Sequence, residues 1–248
     1  DAYAPDYVEK MLARAEETDA DIVVPDVEYF NAGKIVQSNQ FTTFCLSPDM
    51  LITDGKQAFS MTIPWKLHGW MMIRTSLAKK YYTVQQASYS KFNSDEYITR
   101  LLYLKSSKVA LCSSTYKYRV DPNSITRKPS LKMMDYLVTN EKLLWLAEYE
   151  HLDKEIILNI YNDYYVTCRD MKKNRIPQLD EKDQAVAYKR LNDSLLKFKK
   201  NFNWKYLKGA SVRTKIKFGL FLMSIRCSLV GGARSSYYAS KEILRHLA

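Results

Sequence analysis

The sequence predicts an α/β fold followed by an α-helical extension, and two observations carry this prediction. Residues 1 to about 128 alternate between stretches with helical and with strand patterns, as chains of mixed α/β folds do. Beyond "RKPS" the pattern changes to long stretches in which apolar residues recur at spacings of three and four, as on one face of a helix. We therefore expect two domains, residues 1–128 and residues 129–248.

The first domain opens with a helix and a hairpin. The stretch "PDYVEKMLARAEE" predicts a helix over about residues 5–17, with the proline in its first turn. The β-branched residues of "DIVVPDVEYFN" favour a strand, and "NAGK" supplies a turn. The stretch "KIVQSNQFTTF" is then expected to return as the second strand of the hairpin.

Three helices and one strand complete the first domain. A helix is expected around "GKQAFSMTI", where Pro64 ends it, and two more over residues 74–80 and 95–105. The β-branched and aromatic stretch "KVALCSSTYKYRV" predicts a strand that the turn "DPNS" ends. The second domain then contains the helical stretches "LKMMDYLVTNEKLLWLAEYE", "KEIILNIYNDYYVTCRDMKKN" and "DEKDQAVAYKRLNDSLLKFKKNF", and a basic segment at the end.

Composition limits the class of protein. Of the 248 residues, 46% are hydrophobic and 26% are charged, which is typical of a globular chain. The four cysteines lie far apart without CxxC spacing, so neither a zinc site nor a dense disulfide scaffold is indicated. The sequence has no secretory signal and no run of 18 apolar residues, which indicates a cytoplasmic location. Because Asp1 is no initiator, we expect the chain to continue a longer one.

The net charge of +11 is concentrated in the second domain. Residues 189–248 contain 14 Lys or Arg and only two acidic residues, whereas residues 1–188 contain 24 basic and 25 acidic residues. The end of the chain therefore attracts polyanions, and the first domain is nearly neutral.

Two adjacent carboxylates, Asp95 and Glu96, stand at the start of the helix expected over residues 95–105. One interpretation is local: Asn93 caps the helix, Glu96 completes a capping box, and the helix dipole stabilises both acids. The other interpretation is that Asp95 is a general base at the edge of a cleft. The helix pattern alone leaves both open.

The order and spacing of several stretches resemble the later half of a family 2 glycosyltransferase with a GT-A fold. These stretches are "DAYAPDYVEKM", "ADIVV", "PWKL" with "RTSL", and "SDEYITRLL" with "YKYRVDPNSITR". Such enzymes build bacterial capsule or other surface polysaccharides. The resemblance implies that residues 1–128 are the acceptor-side part of a GT-A domain, with a Rossmann-like mixed sheet. It also implies inverting transfer of a sugar from a nucleotide-sugar donor to a glycan or lipid-linked glycan acceptor.

The resemblance gives roles to acceptor-side residues. Asp95 matches the aspartate that deprotonates the acceptor hydroxyl, while Ser94 stands where relatives usually have Glu. Trp65 and Lys66 match an element beside the acceptor site, since an indole face stacks on a sugar ring and a lysine meets its oxygens. The alternative is that Trp65 and Leu67 belong to the core and Lys66 extends along it to reach solvent.

The element around Trp65 continues beyond the family pattern. His68 and Trp70 follow in "LHGW", and we expect them to shape the acceptor pocket.

The resemblance also implies donor-side residues. Asp1 matches the last acid of the DxD motif, which holds a divalent cation, Mn²⁺ or Mg²⁺, on the pyrophosphate of the donor. Arg119 and Arg127 lie in a stretch that closes over the active site in relatives, and they could pair with diphosphate oxygens. The alternative for Arg119 is an ion pair with a structural carboxylate.

The basic segment "VRTKIKFGLFLMSIRCSLV" allows two arrangements. Its apolar run from Phe218 to Ile225 is either buried against the preceding helices or inserted into an anionic membrane surface at the inner face of the cytoplasmic membrane. A rival class is a nucleic-acid-binding module, but no motif of that class is present, so we expect no nucleic-acid partner. A module without catalytic activity is the remaining alternative.

Overall fold

The chain folds into two compact units in a computed structural model. The units are Asp1–Lys128 and Pro129–Ala248. The structure describes residues 1–121, 124 and 127–230, with side chains up to residue 223. The prediction of an α/β fold with a helical C-terminal part is confirmed, because the first unit contains a mixed open sheet and the second is helical.

The described part of the first unit contains one six-stranded sheet. The strands are β1 (Ala2–Tyr3), β2 (Ile22–Asn31), β3 (Lys34–Gln37), β4 (Leu51–Ile52), β5 (Met72–Ile73) and β6 (Val109–Arg119). The two long strands, β2 and β6, run parallel to each other. The short strands pair antiparallel with them in the order β1-β6-β2-β3, with β4 on β6 and β5 on β2.

Six helices accompany this sheet in the described first unit. They are α1 (Tyr7–Thr18), α2 (Gln40–Phe44), α3 (Gly55–Ser60), α4 (Thr75–Tyr81), α5 (Val84–Ala87) and α6 (Ser94–Lys105). Helix α1 buries Tyr7 and Met11 against Val23 and Val27 of β2, so its apolar face covers one side of the sheet. Helices α3, α4 and α5 all contact α6, and α2 contacts β2.

The second strand of the hairpin is shorter than expected. Strand β3 ends at Gln37, and the "QFTTF" part of the predicted strand forms α2 instead. The backbone N–H of Phe41 donates to Oδ1 of Asp26, 2.9 Å away, and the Phe41 ring is buried. This hydrogen bond to Asp26 of β2 stabilises the start of α2. Because Asp26 lies 15 positions earlier, the local sequence pattern around "QFTTF" could not predict the helix.

The described part of the second unit contains four long helices with short 3₁₀ and π-helical turns beside them. The long helices are α7 (Asp135–Tyr149), α8 (Lys154–Asp170), α9 (Glu181–Asn201) and α10 (Val212–Val230). An aromatic core joins α8 to α9, with the ring centroid of Tyr161 lying 5.2 Å from Phe198 and 4.9 Å from Phe202. Edge-to-face contacts of this kind add to the stability that burial of the rings provides.

Helix α10 packs on this core with the apolar run that was a candidate for membrane insertion. Phe218 and Leu222 are buried, and the Phe221 ring lies 5.1 Å from Phe198 and 4.6 Å from Tyr165. Phe218 and Leu222 are therefore packed inside the protein, and Phe221 is partly covered by the neighbouring helices, while membrane association of this segment stays a prediction. The side chain of Ile225 lies outside the described residues.

Among the described residues, no helix combines the length and the apolar character needed to cross a bilayer.

Candidate active site

Asp95 is exposed on the first turn of α6. Asn93 occupies the N-cap position, but its side chain makes no capping hydrogen bond there, and its backbone N–H donates to Oγ of Ser90. The capping interpretation is thus wrong for the Asn93 side chain. Asp95 still lies in the first turn of α6, near the positive end of the helix dipole.

The second acid of the pair, Glu96, points to a different partner. Its Oε2 accepts a hydrogen bond of 3.0 Å from Nη1 of Arg100, one turn along the helix. Arg100 is only 3% exposed, and its guanidinium carbon lies 3.8 Å from the centroid of the Trp65 ring. Nε of Arg100 is buried and has no hydrogen-bond partner among the described residues. The two adjacent acids therefore have separate environments, and only Glu96 is tied to a buried cation.

The Trp65–Arg100–Glu96 contact connects two stretches of the chain. The sequence pattern gave the order of these stretches but did not predict that they touch. Trp65 lies in the "PWKL" element and is partly buried, while Arg100 and Glu96 lie in the helix that Asp95 begins. A cation on the face of an indole ring is held by the ring's quadrupole, and burial strengthens this attraction. The element and the helix start are thus adjacent in space.

The backbone of the "PWKL" element is fixed by hydrogen bonds to helix α2 and to the end of helix α3. Nε2 of Gln40 donates to the carbonyl of Trp65 at 2.5 Å, and the backbone N–H of Lys66 donates to the carbonyl of Met61 at 2.8 Å. Leu67 is fully buried, whereas Lys66 is exposed. The core interpretation therefore holds for Leu67, and the ammonium group of Lys66 is open to a ligand.

His68 does not face solvent, which corrects its placement in the acceptor pocket. It is 4% exposed, its Nε2 donates to the carbonyl of Pro25 at 2.9 Å, and its Nδ1 accepts from the backbone N–H of Trp70 at 3.2 Å. Burial lowers the pKa of His68 to about 4, and the hydrogen bond to the Pro25 carbonyl, which raises the pKa, offsets only part of this effect. With both ring nitrogens occupied, His68 positions its neighbours instead of contacting an acceptor.

Trp70 belongs to an aromatic cluster on β6. Its ring stacks on Tyr116 with centroids 5.1 Å apart and lies 4.8 Å from Tyr118, and Tyr118 in turn contacts Tyr29 on β2. Trp70, Tyr118 and Tyr29 are partly exposed. Strand alternation puts Tyr116 and Tyr118 on one face, but the sequence analysis did not single them out.

Asp1 is close to this cluster. Oδ2 of Asp1 accepts from the Tyr116 hydroxyl at 2.9 Å, and Oδ1 accepts from the backbone N–H of Arg119 at 2.9 Å. Burial raises the pKa of Tyr116, so the phenol remains a donor. Asp1 and Trp70 are therefore connected through one residue, Tyr116.

The described residues do not complete a metal site around Asp1. Mg²⁺ and Mn²⁺ require several oxygen ligands, and Asp1 supplies one carboxylate whose two oxygens already accept hydrogen bonds. No group of three or more His, Cys, Asp or Glu that could hold a metal ion occurs in residues 1–121, 124 and 127–230. The divalent cation stays a prediction, and we assign no reaction step to it.

The two candidate arginines are both exposed. Arg119 ends β6 beside Asp1, and its backbone N–H, not its guanidinium, makes the contact with the Asp1 carboxylate. The backbone N–H of Arg127 donates to the carbonyl of Ser124 at 2.9 Å. Residues 122, 123, 125 and 126, between the two arginines, lie outside the described part. Arg119 is therefore placed with Asp1, and no contact of the described chain places Arg127 there.

Arg100 is the main site residue that the sequence analysis missed. Its position four residues after Glu96 is the spacing of an ion pair along a helix, which was a usable signal. Its contact with Trp65 spans 35 positions of the chain and had no such signal.

Comparison with known proteins adds no identification. No protein-family model matches the chain, and no curated protein is significantly similar to it.

Proposed function

We propose that this chain carries the acceptor-side part of an inverting glycosyltransferase of the family 2, GT-A type. The enzyme transfers a sugar from a nucleotide-sugar donor to a glycan or lipid-linked glycan acceptor in surface polysaccharide synthesis. The observation that carries this proposal is the Trp65–Arg100–Glu96 contact, because it joins the acceptor element to the helix whose first turn presents Asp95. The proposed family rests on the order and spacing of the motifs in the sequence.

Asp95 acts as the general base in this proposal. Its carboxylate takes the proton of an acceptor hydroxyl, the oxygen attacks the anomeric carbon, and the bond to the nucleoside diphosphate breaks on the opposite side. The diphosphate leaves with the electron pair of the broken bond, so the configuration at the anomeric carbon inverts. Glu96 is unsuited to this role because Arg100 holds its carboxylate. Asp95 is exposed to the acceptor and makes no ion pair with the described chain.

Acceptor binding is assigned to Trp65, Lys66 and Trp70. The side chains of Trp65 and Trp70 are partly exposed. Lys66 directly follows Trp65 in the sequence, and its side chain is exposed. Indole edges and faces bury the apolar side of a sugar ring, and the ammonium donates hydrogen bonds to sugar oxygens or to a phosphate of the acceptor. Arg119, beside Asp1, is the donor-side cation in this arrangement.

An anionic membrane surface is the proposed partner of α10, through exposed residues that share only Leu220 with the expected run from Phe218 to Ile225. Val212, Ile216 and Leu220 recur every fourth residue and are exposed, with Arg213 exposed next to them. Apolar side chains flanked by cations fit the boundary between anionic headgroups and acyl chains. A lipid-linked acceptor would share that surface with the enzyme.

The test of the transferase proposal is a donor screen on the protein that contains this chain, with Asp95→Asn beside Asp153→Asn. Asp153 is an exposed N-cap residue of α8 whose side chain makes no capping bond, so it controls for the loss of a negative charge at a helix start. We expect Asp95→Asn to lower transfer by about 100-fold or more and Asp153→Asn to leave it unchanged. Equal transfer by wild type and Asp95→Asn would show that another group is the base.

A further inference from the structure

The second unit contains a cavity of about 390 Å³ between the start of α8 and the segment that leads into α10. This size lies within the range of small-molecule sites. Basic, amide and hydroxyl side chains surround it, and two aromatic rings contribute the apolar part. These side chains include Lys154, Lys208, Asn162 and Ser211, and the rings are those of Tyr206 and Phe218.

Positive charge dominates the lining. Lys154, Lys208 and Lys217 border the cavity, and Glu155 is the only acid among its lining residues. None of the three lysines forms an ion pair with a carboxylate of the described chain. Ammonium groups that converge on one cavity repel one another, and an anion in the cavity relieves that repulsion.

Two of the lysines are held in place by neutral partners. Nζ of Lys154 donates to the carbonyl of Lys208 at 3.0 Å, and Nζ of Lys217 donates to Oδ1 of Asn162 and lies 4.7 Å from the Tyr165 ring centroid. An ammonium group has three donors, so each retains hydrogen-bonding capacity for a ligand. The third, Lys208, is exposed, and its ammonium makes no hydrogen bond with the described chain.

A tight turn brings Lys208 to the cavity. Gly209 has a φ of 86°, a conformation that favours glycine, and it directly follows Lys208. Ser211 and Thr214 then begin α10, with the Thr214 backbone N–H donating to Ser211 Oγ at 3.2 Å. The hydroxyl groups of both residues therefore lie at the edge of the cavity beside Lys208.

The uncharged lining fits more than a bare anion. Amides of Asn159 and Asn162 and the two hydroxyls supply both donors and acceptors, which suit sugar or polyol hydroxyl groups. Tyr206 and Phe218 are buried beneath them and form the apolar floor of the cavity. The combination of three lysines with amide and hydroxyl groups is the chemistry that recognises a phosphorylated carbohydrate.

We propose that this cavity binds a phosphate group that carries a sugar or polyol, with Lys154, Lys208 and Lys217 holding the phosphate. The ligand is either a soluble sugar phosphate or the headgroup of a phospholipid, since both present the same chemistry. The residues of this cavity differ from those assigned to sugar transfer, so the two proposals can fail separately.

Calorimetric titration with glucose 1-phosphate, and with glucose as the matched neutral ligand, tests the proposal. The cavity variant is Lys208→Ala, whose exposed side chain makes no internal hydrogen bond, and the control is Lys200→Ala, an exposed lysine of α9 outside the cavity. We expect glucose 1-phosphate to bind and glucose not to bind. Lys208→Ala should weaken binding about tenfold, and Lys200→Ala should not change it.

A second arm identifies the source of the phosphate. Vesicles of phosphatidylcholine with and without phosphatidylglycerol are sedimented with the same three proteins. Binding of only the phosphatidylglycerol vesicles, reduced by Lys208→Ala alone, supports the headgroup as the ligand, and sugar phosphate binding with the same dependence supports the soluble ligand. The proposal is overturned when neither ligand binds, when glucose binds as well as its phosphate, or when both lysine variants weaken binding equally.

Discussion

The Arg100 guanidinium lies 3.8 Å from the centre of the Trp65 ring, and the same guanidinium pairs with Glu96. A buried arginine is unfavourable unless its charge is compensated, and here an indole face and one carboxylate provide the compensation. The contact therefore fixes the Trp65 side chain relative to the start of α6. It also explains the two adjacent acids, since Glu96 balances Arg100 and Asp95 remains exposed.

Removing the indole ring should destabilise the first unit through Arg100. We expect Trp65→Ala to lower the free energy of unfolding by about 2 kcal/mol or more, because it removes both ring burial and the partner of a buried cation. Trp65→Phe keeps an aromatic face and should lose less. Denaturant titration of wild type, Trp65→Ala, Arg100→Met and the double variant measures the coupling, which we expect to be about 1 kcal/mol. Additive losses would mean that the ring and the guanidinium do not interact.

His68 should make stability depend on pH. Its pKa is lowered to about 4 in the folded protein, first because burial disfavours the imidazolium, against about 6.5 in an unfolded chain. The unfolded state then binds more protons between these values, so stability is fully present above about pH 6.5 and is lost as the pH falls toward 4. The shift corresponds to about 3 kcal/mol over that range.

The measurement for His68 is the free energy of unfolding at pH 7 and at pH 4.5, in wild type and in His68→Asn. An asparagine amide keeps a donor for the Pro25 carbonyl but does not titrate. Carboxylates such as Asp21, whose pKa is lowered, contribute equally to both proteins. We expect the wild type to lose more stability than His68→Asn, and equal losses would show that His68 is protonated in the folded state.

For substitutions of the residues that contact Glu141 in the second unit, the loss of stability should depend more on burial than on charge. Its Oε1 accepts from the hydroxyls of Ser194 and Tyr164 at 2.8 and 3.0 Å, and its Oε2 accepts from Nζ of Lys197 at 2.9 Å. Ser194 is buried, whereas Lys197 is 61% exposed. We expect Ser194→Ala to lower the free energy of unfolding by about 1 kcal/mol and Lys197→Met by less than about 0.5 kcal/mol. Urea midpoints measure both, and a larger loss in Lys197→Met would contradict this order.

Lys66 offers a test of acceptor binding that does not disturb the fold, provided that the transferase proposal holds. Its ammonium is exposed, so Lys66→Met should fold as the wild type does and raise the KM for the acceptor about tenfold, with kcat less affected. Lys56→Met removes another exposed lysine of the first unit and is the control. A KM unchanged by Lys66→Met, in an active enzyme, would remove Lys66 from the acceptor site.

The sequence predicted the elements with strong local patterns and missed those that depend on distant contacts. The strand around "KVALCSSTYKYRV" and the helix that starts beside Asp95 were predicted because alternation and helical spacing are local properties. The "QFTTF" helix was missed because Asp26, 15 positions earlier, bonds the Phe41 N–H. His68 was placed in the pocket because nothing in its surroundings reveals that Pro25 accepts from its ring.

Two substitutions in α10 separate its packed face from its exposed face. Phe221 contacts Phe198 and Tyr165, so Phe221→Asp places a charge against aromatic rings and should lower the melting temperature sharply. Ile216 is exposed on the other face, so Ile216→Asp should leave the melting temperature nearly unchanged.

The same pair tests the membrane partner, because the two mechanisms of attraction respond differently to salt. Lys and Arg near the surface attract anionic vesicles at low salt, and this attraction falls as salt rises. Inserted apolar side chains keep their contribution, on the order of a kcal/mol or more for each, at any salt concentration. We therefore expect wild type to sediment with anionic vesicles even at high salt and Ile216→Asp to lose that salt-resistant part while remaining folded. If Ile216→Asp sediments as well as wild type under those conditions, the stripe of Val212, Ile216 and Leu220 does not enter the bilayer, and the charge of this segment serves a soluble polyanion instead.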